Sequence, residues 1–230
     1  MRSTAGGLNE VGVEAFDERA WEDRAVSRSL ERARAEAAKR SRRIVCMAME
    51  LSETAADGNF TLQAVADRAG ISTRTFYQHF SSKDELLVAL FEESQAQSAR
   101  LLEEAVSQHT EPLARLREFI LTRQRMATRQ PLVRQLVERH FRLQESHPEE
   151  LRHAMEPVTA LLKRLIGEAA SAGVINISDT NTAAALVMNT LTIAVQSFVL
   201  GSSLTGVVPD AEDVYEFCIR GLAAADAGAR

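Results

Sequence analysis

Aromatic residues are scarce in this 230-residue chain, at 5%, with Trp21 the single tryptophan. Proline (5) and glycine (11) are few, and no convincing run of alternating β-branched residues occurs. With 45% apolar residues, many of them Ala and Leu, this mixture disfavours sheets and favours helices. The two cysteines, Cys46 and Cys218, lie far apart with no partner spacing. That argues against a disulfide or a metal knuckle and leads us to expect reduced thiols in a cytoplasmic protein. The N-terminus has no apolar h-region, so no signal peptide is expected. The longest apolar stretch, Ala183–Leu200, is interrupted by Asn189, Thr190, Thr192, Gln196 and Ser197. A spanning helix rarely carries so many amides and hydroxyls, so the expectation is a bundle helix and no membrane. No G-x-S-x-G, P-loop or dinucleotide fingerprint occurs, which argues against an enzyme and leaves no cofactor expected. His140, His147 and His153 are near neighbours. Their separations put no two on one helical turn and Pro148 intervenes, so exposed or packing histidines are expected and no metal.

What is present is a divided charge. The chain carries a net −5, yet residues 28–83 hold ten Lys/Arg against six acids, or +4, leaving −9 for the remainder. The positive charge coincides with the stretch Thr61–Lys83, TLQAVADRAGISTRTFYQHFSSK. Thr61 can cap a helix whose inner face is Leu62, Val65, Ala66 and Ala69, an i, i+3, i+4, i+7 stripe. Gly70 can end it, Ile71 fills the bend, and Ser72 can cap a second helix with Phe76 and Phe80 inward. Two short helices about a glycine turn make a helix-turn-helix, whose second helix reads the major groove. Its outward residues, Thr73, Arg74, Thr75, Tyr77, Gln78 and His79, are donor-rich and include no carboxylate.

The run Ala66–Leu87, ADRAGISTRTFYQHFSSKDELL, closely resembles the DNA-binding signature of TetR-type transcriptional regulators, with Tyr77, His79, Phe80 and Lys83 in the family's places. The resemblance is strong over about 41–91 and is one of helical pattern and length beyond. It implies an all-α protein: an N-terminal three-helix helix-turn-helix head and a C-terminal helical bundle for ligand binding and dimerisation. It further implies a homodimer on a palindromic double-stranded operator, released by a small-molecule effector. The DNA-facing set is Thr61, Gln63, Ser72, Thr73, Arg74, Thr75, Tyr77, Gln78, His79 and Lys83. Thr73 and Arg74 are placed at base edges, with Gln78 and Thr75 as weaker candidates. Tyr77, His79, Lys83 and the Thr61 hydroxyl are given to phosphates on the family match. Three readings follow: a ligand-responsive repressor; an effector-independent activator or architectural factor; and a helical ligand-binding or catalytic protein with a vestigial head. The fully formed, basic motif speaks against the third.

The expected domains are a flexible extension (1–32), the head (33–84) and the effector and dimerisation body (85–230). The basic run from Arg28 is either a phosphate-seeking arm or a solvated helix start. A first helix is expected from about Lys39 to Ala55 with Ile44, Met47, Ala48 and Leu51 inward. Asp57-Gly58-Asn59 signals a loop, and Phe60 is expected under the second helix. Ser82 and Glu85 form a capping box for a long connecting helix with Leu87, Leu90, Phe91, Ser94, Ser98, Leu101, Leu102 and Ala105 inward. Pro112, Pro131 and Pro148 mark three helix starts, and Pro157 should kink the third. Ser178 and Asp210 are the expected caps of the last two helices.

Those last two helices, 182–200 and 211–225, are expected to form the two-fold contact. Small residues Ala184, Ala194, Gly221 and Ala225 would allow close approach, with Phe217 and Leu222 as apolar area. Asn189, Thr192 and Gln196, near one face of an apolar helix, are the proposed effector contacts. Alternatively, these groups bond a neighbouring helix or meet water. An apolar or amphipathic effector is favoured. Arg123, Arg125, Arg129 and Arg134 would suit an acidic or CoA-linked one, although a solvated face explains them more simply.

Overall fold

The computed structural model describes residues 20–55, 58–129, 131–203 and 205–223, without the side chains of 20, 128 and 129. Among the described residues every regular element is a helix: α1 (Ala20–Thr54), α2 (Leu62–Ala69), α3 (Thr73–Tyr77), α4 (Lys83–Ser107), α5 (Pro112–Arg129), α6 (Pro131–Ser146), α7 (Pro148–Ser171), α8 (Thr180–Leu200) and α9 (Ala211–Ala223). The fold is all-α, as the few Gly and Pro and the many Ala and Leu imply.

Two compact units meet in the chain at Arg42. The first is, in its described part, the N-terminal half of α1, exposed from Trp21 to Ala37. Helix is therefore already present at Ala20, well before the expected Lys39. Residues 20–42 have no apolar stripe to betray a helix, but they are rich in Ala and Arg and hold neither Gly nor Pro. Glu22 and Asp23 in the first turn suit the positive helix end.

The second unit, Arg43–Arg230, contains two apolar clusters. One joins Ile44 and Ala48 of α1, Phe60, Val65, Ala66 and Ala69 of α2 and its approach, Phe76, Phe80, and the start of α4 at Leu86, Leu87, Val88 and Leu90. Leu132 and Leu143 of α6 complete it. Met47, Leu51 and Leu62, expected inside, are half-buried at its margin. The larger cluster packs α4 and α5 against α7, with α8 and α9 closing over them. Its centre is Leu102, Leu116, Phe119, Ile120, Leu162 and Leu165.

Several expected boundaries shift by a residue or a face. Leu101 is exposed and Val106 is buried instead, because α4 turns its stripe toward α5 and α7. Asp179, not Ser178, caps α8, accepting from the N–H groups of Asn181 (2.9 Å) and Thr182 (3.3 Å). Ser82 does cap α4, accepting from Glu85 N at 3.1 Å, but the Glu85 carboxylate returns to Ser81 N (2.6 Å) rather than to Ser82. Asp210 caps α9 as expected, through Glu212 N and Asp213 N. α7 runs through Pro157 as one helix. α8 is long and apolar enough to cross a membrane by length and composition, yet one of its faces, including Ala184, Val187 and Leu191, belongs to the larger core.

Candidate functional site

The helix-turn-helix is built by its caps. Thr61 accepts from Ala64 N at 3.1 Å and fixes the start of α2. At the other end Gly70 takes φ +68°, and Gly70 N and Ile71 N bond back to Asp67 O and Ala66 O. A side chain at that φ would cost roughly 1–2 kcal/mol, so the sharp bend requires glycine. Ser72 then accepts from Thr75 N at 3.1 Å and starts α3. Phe76 is fully buried, its ring 5.9 Å from Phe80, and this fixes the rotation of α3 about its axis. With Phe76 inward, Arg74, Tyr77 and Gln78 face outward and are exposed.

The outward side chains are partly organised already. Thr73 Oγ1 donates to Gln63 Oε1 (2.8 Å), and Gln63 Nε2 donates to Asp67 Oδ1 (2.7 Å), tying the recognition helix to α2. The Tyr77 ring stands edge-on to Phe76 at 5.7 Å. Lys83 does more than the sequence suggested. Its ammonium donates to Asn59 Oδ1 and Phe60 O, both at 2.7 Å, and sits 4.7 Å from the Phe60 ring centroid. It therefore anchors the approach to α2. Thr75 and His79 are half-buried.

The body contains a cavity of about 690 Å³ between α4, α5, α6, α7 and α8. Asn189, Thr192 and Gln196 all line it. Asn189 is exposed at its rim, and the Thr192 hydroxyl donates to Met188 O of its own helix (2.8 Å), which leaves it only as an acceptor. Across the cavity stand Ser94, Gln95 and Ser98, whose residues are buried on the inner face of α4, and Arg123 of α5. Burial lowers the Arg123 pKa to about 10 and also lowers that of His140. The four arginines expected to cluster do not act together. Arg123 faces the cavity, Arg125 pairs with Glu118 (2.7 Å), Arg134 donates to Val199 O (2.8 Å), and the Arg129 side chain lies outside the described residues. Polar positions in the apolar stripe of α4 were the available sign of this cavity wall.

Helix α6 has two working faces. Val133, Leu136, Val137, His140 and Gln144 line the cavity. The stripe on the other side of the helix grips the head: Gln135 Nε2 donates to Gly58 O, and Asp84 receives Arg139 (3.0 Å) and Arg142 (2.7 Å). Gly58 has φ +70°, and a Cβ there would collide with Pro131 O at the start of α6.

The expected two-fold surface needs correction. Ala184, Ala194 and Leu222 are buried within their own chain, and Ala225 lies outside the described residues. Phe217 is 69% exposed, and α8 instead shows Leu186 (63%), Ile193 (59%) and Phe198 on its outer side. A helix apolar all round has two faces to cover, so the pattern was legible in the sequence.

A capped helix-turn-helix whose second helix offers donors and a cation outward, on an all-helical body with a cavity, defines a helix-turn-helix DNA-binding protein. Residues 48–90 match the family model described as bacterial regulatory proteins, tetR family. The helix-turn-helix therefore carries the DNA-binding signature of TetR-type regulators. No curated protein matches it. Among solved structures it is similar to RolR in complex with resorcinol, at 17% identity and TM-score 0.67, over 82% of this chain and 89% of that one. FadR from Bacillus subtilis in complex with stearoyl-CoA is 18% identical, with TM-score 0.61, over 78% and 97% of the two chains. FadR from Thermus thermophilus in complex with lauroyl-CoA is 19% identical, with TM-score 0.61, over 83% and 98%. At these identities the likeness is one of fold.

Proposed function

We propose that the chain is a ligand-responsive repressor that binds a palindromic operator as a homodimer and leaves it when an apolar or amphipathic molecule enters the body cavity. The observation that carries this reading is the double role of α6, which lines the cavity on one side and holds Gly58 O and Asp84 on the other. A ligand that pushes on Leu136, Val137 or His140 moves the rung on which the head rests. Packed interfaces respond to such displacement by switching rather than by yielding smoothly. A ligand whose affinity differs between the two arrangements then shifts their balance.

On the DNA side, Arg74 and Thr73 read base edges, with Gln78, Thr75, Ser72 and Gln63 beside them, while Thr61, Tyr77, His79 and Lys83 meet phosphates. The domain division at 33 and 84 belongs to the same reading. Two heads are needed because half-sites lie about 34–36 Å apart, one DNA turn. The outer apolar sides of α8 and α9, at Leu186, Ile193, Phe198 and Phe217, support the pairing of two copies. That RolR is found with resorcinol and the two FadR proteins with acyl-CoA supports a ligand in the body.

The test is a gel shift on the DNA upstream of the chain's own gene, with and without cell extract. Specific binding that the extract relieves is the expected result. Specific binding that no extract relieves would instead support an effector-independent DNA binder.

A further inference from the structure

Arg123 stands apart from the paired arginines of the body, and unlike the exposed Arg100 it is half-buried. Arg115 pairs with Glu168, Arg117 with Glu212, Arg125 with Glu118 and Arg164 with Glu103. Among the described residues no carboxylate lies within ion-pair distance of Arg123, whose hydrogen-bond partner is the neutral Gln95 Oε1 at 3.0 Å. It also lines the cavity, and among the described residues no Asp or Glu does so. The second arginine at the wall, Arg152, is exposed and paired with Glu149.

We propose that the effector is an amphipathic monoanion, an apolar body bearing one carboxylate, and that Arg123 receives that carboxylate inside the cavity. The inference rests on the cavity being the effector site and adds the chemical class of the ligand. A half-buried cation without a counter-charge is unfavourable, and an entering carboxylate relieves that deficit. With its pKa lowered only to about 10, Arg123 stays charged at neutral pH. The planar fork of a guanidinium matches a carboxylate through two parallel N–H···O bonds. Gln95, itself 4% exposed, holds one Nη of that fork and so sets its orientation. The rest of the wall includes Met126, Leu136, Val137, Met155, Met188 and Leu191, which suit an alkyl or aryl body. One arginine without a carboxylate matches one negative charge. A CoA thioester would bring several phosphate charges against the same wall.

The experiment is calorimetric titration of the full-length protein at neutral pH with two skeletons in three forms each. These are decanoate, decanamide and decanoyl-CoA, and 1-naphthoate, 1-naphthamide and 1-naphthoyl-CoA. The expected result is that at least one acid binds about tenfold or more tighter than its amide, as charge-assisted hydrogen bonds allow, and tighter than its CoA thioester. Arg123→Gln should erase the preference for acid over amide while leaving amide affinity unchanged, and Arg123→Lys should keep part of it. Thermal unfolding and DNA affinity equal to the parent's show that both variants are folded. Acids and amides binding equally, a preference surviving in Arg123→Gln, or a preference for the CoA thioesters would each overturn the inference while leaving the cavity as the effector site. Absence of binding by all six compounds counts against the effector cavity itself, and the inference falls with it.

Discussion

Replacing Asp84 with asparagine should loosen the grip of α6 on the head. The carboxylate is 9% exposed and receives Arg139 at 3.0 Å and Arg142 at 2.7 Å. Breaking a fully buried ion pair costs about 3–5 kcal/mol, because the partner charge is stranded. Neither arginine is buried to that degree. Arg142 is 72% exposed and solvent screens its contact to about 0–1 kcal/mol. Arg139, at 38%, keeps more of its share. Asp84 also lies in the first turn of α4, where a negative charge contributes about 0.3–1 kcal/mol. Together these give a loss of about 1–3 kcal/mol for Asp84→Asn, read by urea unfolding. An Asp84→Asn, Arg139→Ala double-mutant cycle isolates the pair and should return a coupling of about 0.5 kcal/mol or more. On the proposed mechanism, operator release should also respond, since coupling free energies of about 1–3 kcal/mol are typical of effector action. Stability within about 0.5 kcal/mol of the parent, with unaltered release, would refute the claim that this contact joins α6 to the head.

The remaining predictions address the three surfaces. Arg74→Ala should relax base preference at one position per half-site, by about 1–3 kcal/mol of discrimination, in a competition assay with single-base operator variants. Lys83→Ala should weaken all sequences alike and lower the salt slope by about 1; it should also lower stability, because Lys83 holds Asn59 and Phe60 O. An unchanged salt slope would leave it that anchoring role alone. Phe217→Glu should shift the chain toward monomer in sedimentation, and a parent already monomeric at micromolar concentration would remove the two-fold surface. Asn189→Leu with Gln196→Leu should preserve DNA binding and alter release by the effector, and unaltered release would return both residues to helix packing.

The head was legible because its rules are local. Thr61, Gly70, Ser72 and Phe76 each act within a few residues of sequence, so capping and the 3.6-residue period suffice to place them. The same locality explains the slips. Ser178 and Asp179 are both competent caps, and only the turn into α8 selects between them. The exposed half of α1 buries nothing, so it leaves no periodic signature, although its composition is helical throughout.

Tertiary structure decided what depends on which helices become neighbours. The sequence marked Asn189, Thr192 and Gln196 as one polar stripe, and it left open whether they face another helix, water or a cavity. Arg123 could not be told from Arg125 by sequence, since two residues along α5 turn a side chain by about 200° and only the placement of α4 and Glu118 assigns each its partner. The small residues Ala184 and Ala194 suited a dimer seam as well as a core, and they are buried in the larger core within the chain. Periodicity marks the apolar face of a helix, but the identity of the surface that covers it is a property of the packed chain.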